Sequence, residues 1–143
     1  MSAWWPAAAA AGLTAWVLGW AWWSRRAFAR SEGAFRCRVR VRSASLPGLS
    51  WRWSRLPGHG RWVHDVLVVR TGFLRPRLHH LPVHVAETEL VELDRRRVRG
   101  LGPHPVSVSL LLDGQAAVEV ATAGDRGSLL AGPFVVLAVS RLR

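Results

Sequence analysis

Few residues in this chain have types and spacings that could do chemistry. His79, His80 and His84 offer three imidazoles within six positions, and His80 and His84 are four apart. On a helix that spacing would let both reach one metal ion. Pro82 and the surrounding Val and Leu predict a strand instead, where four residues separate side chains by about 13 Å at ~3.3 Å per residue. The three histidines therefore read as surface groups near a turn, and no metal is expected. His64 and Asp65 are adjacent, and neighbours on a strand point to opposite faces, so adjacency gives no acid–base pair. Gly58-His59-Gly60 lacks the third glycine and the strand-to-helix setting of a dinucleotide loop. There is no Gly-x-Ser-x-Gly elbow, and the absence of Lys excludes a Walker phosphate loop and a Schiff-base lysine. Cys37 falls on the apolar side of an alternating run, where packing is its ordinary role. No catalytic residue is assigned, no cofactor is expected, and the chain reads as non-enzymatic.

Arginine and tryptophan carry the remaining signals. Phe35 to Arg42 alternates without a fault, with Phe35, Cys37, Val39 and Val41 on one side and Arg36, Arg38, Arg40 and Arg42 on the other. Four guanidinium groups on one strand face suit lipid headgroups or an acidic partner, and equally suit a solvated surface. Trp51 and Trp53, close to Arg52, Arg55 and Arg61, have the basic–aromatic interleaving that stacks nucleic-acid bases; core or membrane-interface packing of these indoles is the reading preferred. All 20 basic residues are Arg, and Lys, Ile, Asn and Tyr are absent. Those missing residues have A- and T-rich codons, so a GC-rich genome accounts for the Arg without selection for guanidinium chemistry. The net charge of +11 divides unevenly, +9 over residues 25 to 61 and +2 over residues 62 to 143.

The elements that must position these groups begin with a membrane segment. No charge occurs from Ser2 to Ser24, and 21 residues of helix from position 3 rise about 31 Å, close to the ~30 Å hydrocarbon core of a bilayer. Trp4 and Trp5 at one end and Trp20, Trp22 and Trp23 at the other match two interfacial aromatic belts. Arg25, Arg26 and Arg30 follow the apolar stretch and no basic residue precedes it, which disfavours a cleaved signal peptide. The same flank places the N-terminus outside and the rest of the chain in the cytoplasm of a plasma-membrane protein. The lone Cys37 fits a reducing compartment. The organisation expected is an anchor over 1–24, a basic juxtamembrane linker over 25–33 and one β domain over 34–143.

Within that domain, β-like runs are expected at about residues 35–42, 50–56, 62–69, 73–80, 83–93, 105–112 and 116–121, with a tight hairpin at Asp113-Gly114. From Gly124-Asp125, a possible cap, Leu129, Leu130, Phe134, Leu137 and Ala138 recur at about a helical turn and predict a C-terminal helix over about 125–140, interrupted at Pro133. Antiparallel strands closed by one terminal helix make a pleckstrin-homology-like roll or another small barrel the expected fold.

The order of apolar anchor, Arg25-Arg26, Gly33-Ala34-Phe35-Arg36-Cys37-Arg38-Val39-Arg40, Arg61-Trp62, Arg75-Pro76-Arg77, Val118-Glu119-Val120-Ala121, Gly124-Asp125 and Leu129 onward resembles the actinobacterial single-pass membrane family called domain of unknown function DUF 2550. The resemblance implies one N-terminal membrane helix, a terminal helix and an actinobacterial source, and no catalytic residues. The expectation is a membrane-anchored binding or scaffolding domain. Arg25, Arg26, Arg30 and the face from Arg36 to Arg42 would meet anionic lipid or a membrane-bound protein, with a membrane-linked nucleic-acid binder using Trp51 and Trp53 as the alternative.

Overall fold

The computed structural model describes residues 4–87 and 89–134. Helix α1 (Trp5–Ala29) has Pro6 in its first turn, where a missing N–H costs nothing and the ring presets the helical φ. Its 25 residues run straight through Arg25 and Arg26, so most of the expected linker is helix, and the chain leaves it only at Arg30. Ala21 alone is buried on α1, at 1% exposure, against 80% for Trp4. No helix among the described residues is long and apolar enough to cross a membrane. The composition explains this: Ala7 to Ala11 is a weakly apolar run, and five indoles carry a polar N–H.

After α1 come β1 (Phe35–Ser43), β2 (Gly58–Val63), β3 (Val66–Thr71), β4 (Arg77–Ala86), β5 (Val91–Glu92), β6 (Pro105–Leu112) and β7 (Ala117–Ala123). They form one antiparallel sheet in the order β4-β3-β2-β1-β7-β6-β5, and β4 also pairs with β6. The sheet thereby closes on itself as a barrel, with the two-residue β5 extending one edge of β6. Closure removes open strand edges.

The alternation in β1 is the pattern of this wall. Phe35, Cys37, Val39 and Val41 are buried, and they join Leu67, Val69, Leu81, Val83, Val108, Leu110, Leu112, Val118 and Val120 in one core. Gly58 and Gly60 on β2 face the same interior. A methyl group at Gly60 would press on the Phe35 ring and the Cys37 sulfur, and one at Gly58 would meet the backbone oxygen of Arg70. The glycines that resemble a nucleotide loop in sequence are thus the space that a large neighbouring ring and a close strand require.

Several expected runs are placed differently. Residues 62 to 69 are two strands, because His64 adopts φ 56° and turns the chain between Val63 and Val66. Residues 50 to 56 are irregular rather than a strand: beyond Cys37, where β2 diverges from β1, Ser50 O accepts from Val41 N, and Ser54 N donates to Val39 O. The run at 73–80 starts only at Arg77, after a turn at Gly72 (φ 81°). The β6–β7 hairpin forms as expected, but positive φ falls on Gly114 and Gln115, so the turn is longer than a two-residue one.

At the other end, a 3-10 turn (Gly124–Arg126) leads into the five-residue α2 (Gly127–Ala131). No side chain caps it, and it ends at Gly132, whose backbone (φ 52°, ψ −134°) favours glycine. A Cβ there would collide with the Trp62 indole. Leu130 is fully buried in the core, while Trp62 Nε1 donates to the carbonyls of Leu129 (3.1 Å) and Leu130 (3.2 Å). Phe134 meets Trp62 edge-on at 5.6 Å. The remainder of the expected helix, including Leu137 and Ala138, lies outside the described residues.

Candidate functional site

The nine positions of β1 carry four arginines on one outward face, and their neighbours across the sheet give them different surroundings. Arg40 lies directly opposite Glu119 on β7. Glu119 is 4% exposed and accepts from Arg40 Nε (2.7 Å), Arg42 Nη1 (3.1 Å) and Ser107 Oγ (2.9 Å). Burial pushes its carboxyl up, but the bonds from Arg40, Ser107 and Arg42 outweigh this and hold it below the usual carboxylate range. Arg38 donates from Nη1 to the carbonyls of Ser54 and Arg55, pinning the irregular 50–56 segment over β1. Burial, then repulsion from Arg36, lowers its pKa.

This cover also contains a small second core. Val98, Leu101 and Ala121 are buried there, with Trp53 and Leu93 against them. Trp53 presents its ring to the Arg40 guanidinium at 4.7 Å, and Trp51 presents its ring to Arg52 at 4.8 Å. The two indoles therefore do not form a shared stacking platform: Trp53 is packed inward and Trp51 is exposed. Each indole already has a guanidinium partner over its ring.

Arg36 differs from its three strand-mates. Its direct cross-strand neighbour on β2 is His59, and the neighbour of His59 on β3 is Arg70. Facing residues in a ladder have Cβ atoms about 4.5–5.5 Å apart and project to the same side. Three basic groups thus form one rung across β1, β2 and β3. Helix α1 packs on this rung from above. Arg70 Nη2 donates to Ser24 Oγ at 2.6 Å, and Arg25 donates to Pro57 O at 3.3 Å while its guanidinium sits 5.8 Å from the Phe73 ring. Burial, then Arg25, Arg36 and Arg70, depress the His59 pKa; burial, then Arg25, lower that of Arg70. None of these four groups forms an ion pair with a carboxylate among the described residues. Periodicity gives Arg36 the same standing as Arg38, Arg40 and Arg42; only strand register shows that its neighbours are His59 and Arg70.

The other candidates are spread out. Arg26 lies over Trp22 at 5.1 Å, and Arg30 is exposed at the helix end. His79 sits within reach of Thr71 Oγ1 at 3.2 Å, and burial followed by Arg77 lowers its pKa. His80 and His84 are exposed on the outer face of β4, and His84 lies 3.7 Å from Asp113. No cluster of three potential metal ligands occurs among the described residues. Cys37 is sealed in the core, and burial pushes its thiol up to about 12.

No protein-family model matches the chain, and neither a curated protein nor a solved structure does. The family resemblance therefore rests on its short motifs alone.

Proposed function

We propose that the chain is a non-enzymatic, membrane-tethered β barrel that binds at the cytoplasmic face through basic residues at the root of its helix. The observation that carries this reading is the state of α1. Before Ala21 the helix leaves the barrel with Trp5, Leu13, Trp16, Val17, Leu18 and Trp20 exposed on several sides. An apolar helix without a polar face is stable when covered by protein or by lipid. Lipid suits these residues, because indoles favour the water–bilayer interface and Arg25, Arg26 and Arg30 mark the cytoplasmic end.

The shortfall in hydropathy bears on how α1 sits. From Trp4 to Trp20 it rises about 25 Å, short of a full hydrocarbon core, and local thinning or insertion of interfacial Trp accommodates such a mismatch. Trp20, Trp22 and Trp23 then hold the barrel against the headgroups, where each nearby basic residue adds about 1 kcal/mol on an anionic leaflet. Of the expected contact set, Arg25, Arg26, Arg30 and Arg36 would be the residues to meet that surface, because they lie in, at or next to the end of α1. Once the barrel is tethered, weak contacts suffice, because the local concentration of lipid is high.

The test is flotation of the full chain with vesicles, followed by an alkaline wash. Retention after the wash supports an inserted α1. A chain that stays in the dense fraction with neutral and anionic vesicles alike would refute the tether.

A further inference from the structure

We propose that Arg36 and His59, backed by the charges of Arg70 and Arg25, bind one phosphate-bearing anion at the root of α1. The membrane reading above enters only in naming a lipid headgroup as the source of that anion.

Like charges placed directly opposite in a ladder repel. The chain nevertheless sets Arg36, His59 and Arg70 side by side and brings Arg25 down on them. Arg70 is 9% exposed, and its side-chain hydrogen bond among the described residues goes to a neutral hydroxyl, that of Ser24. A buried guanidinium ordinarily has a carboxylate partner, because desolvating a cation without an anion is costly. The barrel supplies such a partner elsewhere, where Glu119 serves Arg40 and Arg42. At the helix root it supplies none among the described residues, and the charge is of the kind that an external anion neutralises.

The surroundings have room for one. A cavity of about 280 Å³ opens at the Arg36 and His59 end of the rung, with Ala29, Thr122, Asp125 and Arg126 among its walls; Arg70 stands across His59 from it, and Arg70 and Arg25 add positive charge from outside its walls. Asp125 is the acid on that wall, and Arg126 beside it carries the opposite charge. Arginine forks match phosphate oxygens, and several charge-assisted bonds converging on one anion are stronger than neutral ones. The cavity adjoins the end of α1, below Trp22 and Trp23, where the tethered barrel would meet headgroup phosphates.

His59 reports occupancy. Arg25 from α1, Arg36 from β1 and Arg70 from β3 face it, with Asp125 and Arg126 of the 3-10 turn on the cavity wall, and an anion there favours its protonated form. The experiment is a histidine NMR titration of the full chain, with the His59 signal identified by its loss in His59→Gln. It is run in neutral detergent with and without inorganic phosphate, and in nanodiscs of phosphatidylcholine with and without phosphatidylglycerol. The expected result is an upward move of the His59 midpoint that exceeds any move of His84 or His104. A rise with inorganic phosphate identifies a site that free phosphate can fill; a rise confined to phosphatidylglycerol identifies a headgroup site. Arg36→Gln should raise the half-saturating phosphate or lipid concentration roughly tenfold, whereas Arg95→Gln, outside the rung, should leave it unchanged. An unmoved His59 in every condition, or an equal shift of all histidines, would overturn the proposal. A chain that does not enter nanodiscs but still responds to inorganic phosphate would refute the membrane reading and leave the anion site standing.

Discussion

Arg40 and Arg36 stand four residues apart on the same face of the same strand, and the barrel treats them in opposite ways. Arg40 lies across from Glu119, which also gathers Arg42 and Ser107 into a closed network under the 50–56 segment. Arg36 lies across from His59 and next but one to Arg70, with Arg25 overhead and no carboxylate paired to any of them among the described residues. A perfectly regular sequence pattern thus produces one structural knot and one unbalanced cluster. The residue across the ladder, which periodicity does not reveal, decides which is which.

The largest effect that separates the two regions should come from Glu119→Ala. It leaves Arg40, Arg42 and Ser107 without their shared acceptor and should cost about 3 kcal/mol of stability in denaturant unfolding. A loss under about 1 kcal/mol would mean that the network is as dispensable as a surface ion pair. Ser24→Ala removes the hydroxyl that Arg70 uses and should cost about 1 kcal/mol, read by the same unfolding curve. No loss would show that Arg70 is already satisfied by water.

Acidification should strain the helix root before it touches the Glu119 network. The folded pKa of His59 lies below the ordinary histidine value of 6.5, so between the two values the unfolded chain binds more protons and stability falls as pH drops. His79, depressed for the same reason of burial, adds in the same window. Glu119 is shifted downward from 4.5, so its contribution persists until the pH falls well into the acid range. Thermal melts from pH 8 to pH 5.5 should therefore show a falling midpoint that His59→Gln partly flattens. The smallest effect is expected for Arg36→Gln, which relieves repulsion and should change stability by no more than about 0.5 kcal/mol, in the stabilising direction. A clear loss would show that Arg36 already has a structural partner.

Much of the barrel was legible because its signals are local. The β1 alternation, the β6–β7 hairpin and the long first helix follow from side-chain period, turn residues and composition. The misplaced elements depend on tertiary contacts. Residues 50 to 56 read as strand-like, yet they lie where β2 has left β1, and Arg38 holds them there through their carbonyls. His64 sits in the left-handed region, which is uncommon for any residue but glycine and which the strand-like run around it does not signal. The closing β4–β6 pair and the Arg36–His59 pairing join residues far apart in the chain, so periodicity could give neither the ring nor the basic cluster.

The tether proposed for α1 would hold this barrel against the cytoplasmic face of a membrane. It is tested most directly by fusing after Arg143, in turn, a reporter active only inside the cell and one active only outside it. A tethered barrel gives signal from the inside reporter alone, in the membrane fraction. Signal from the outside reporter, or an inside signal wholly in the soluble fraction, would contradict it.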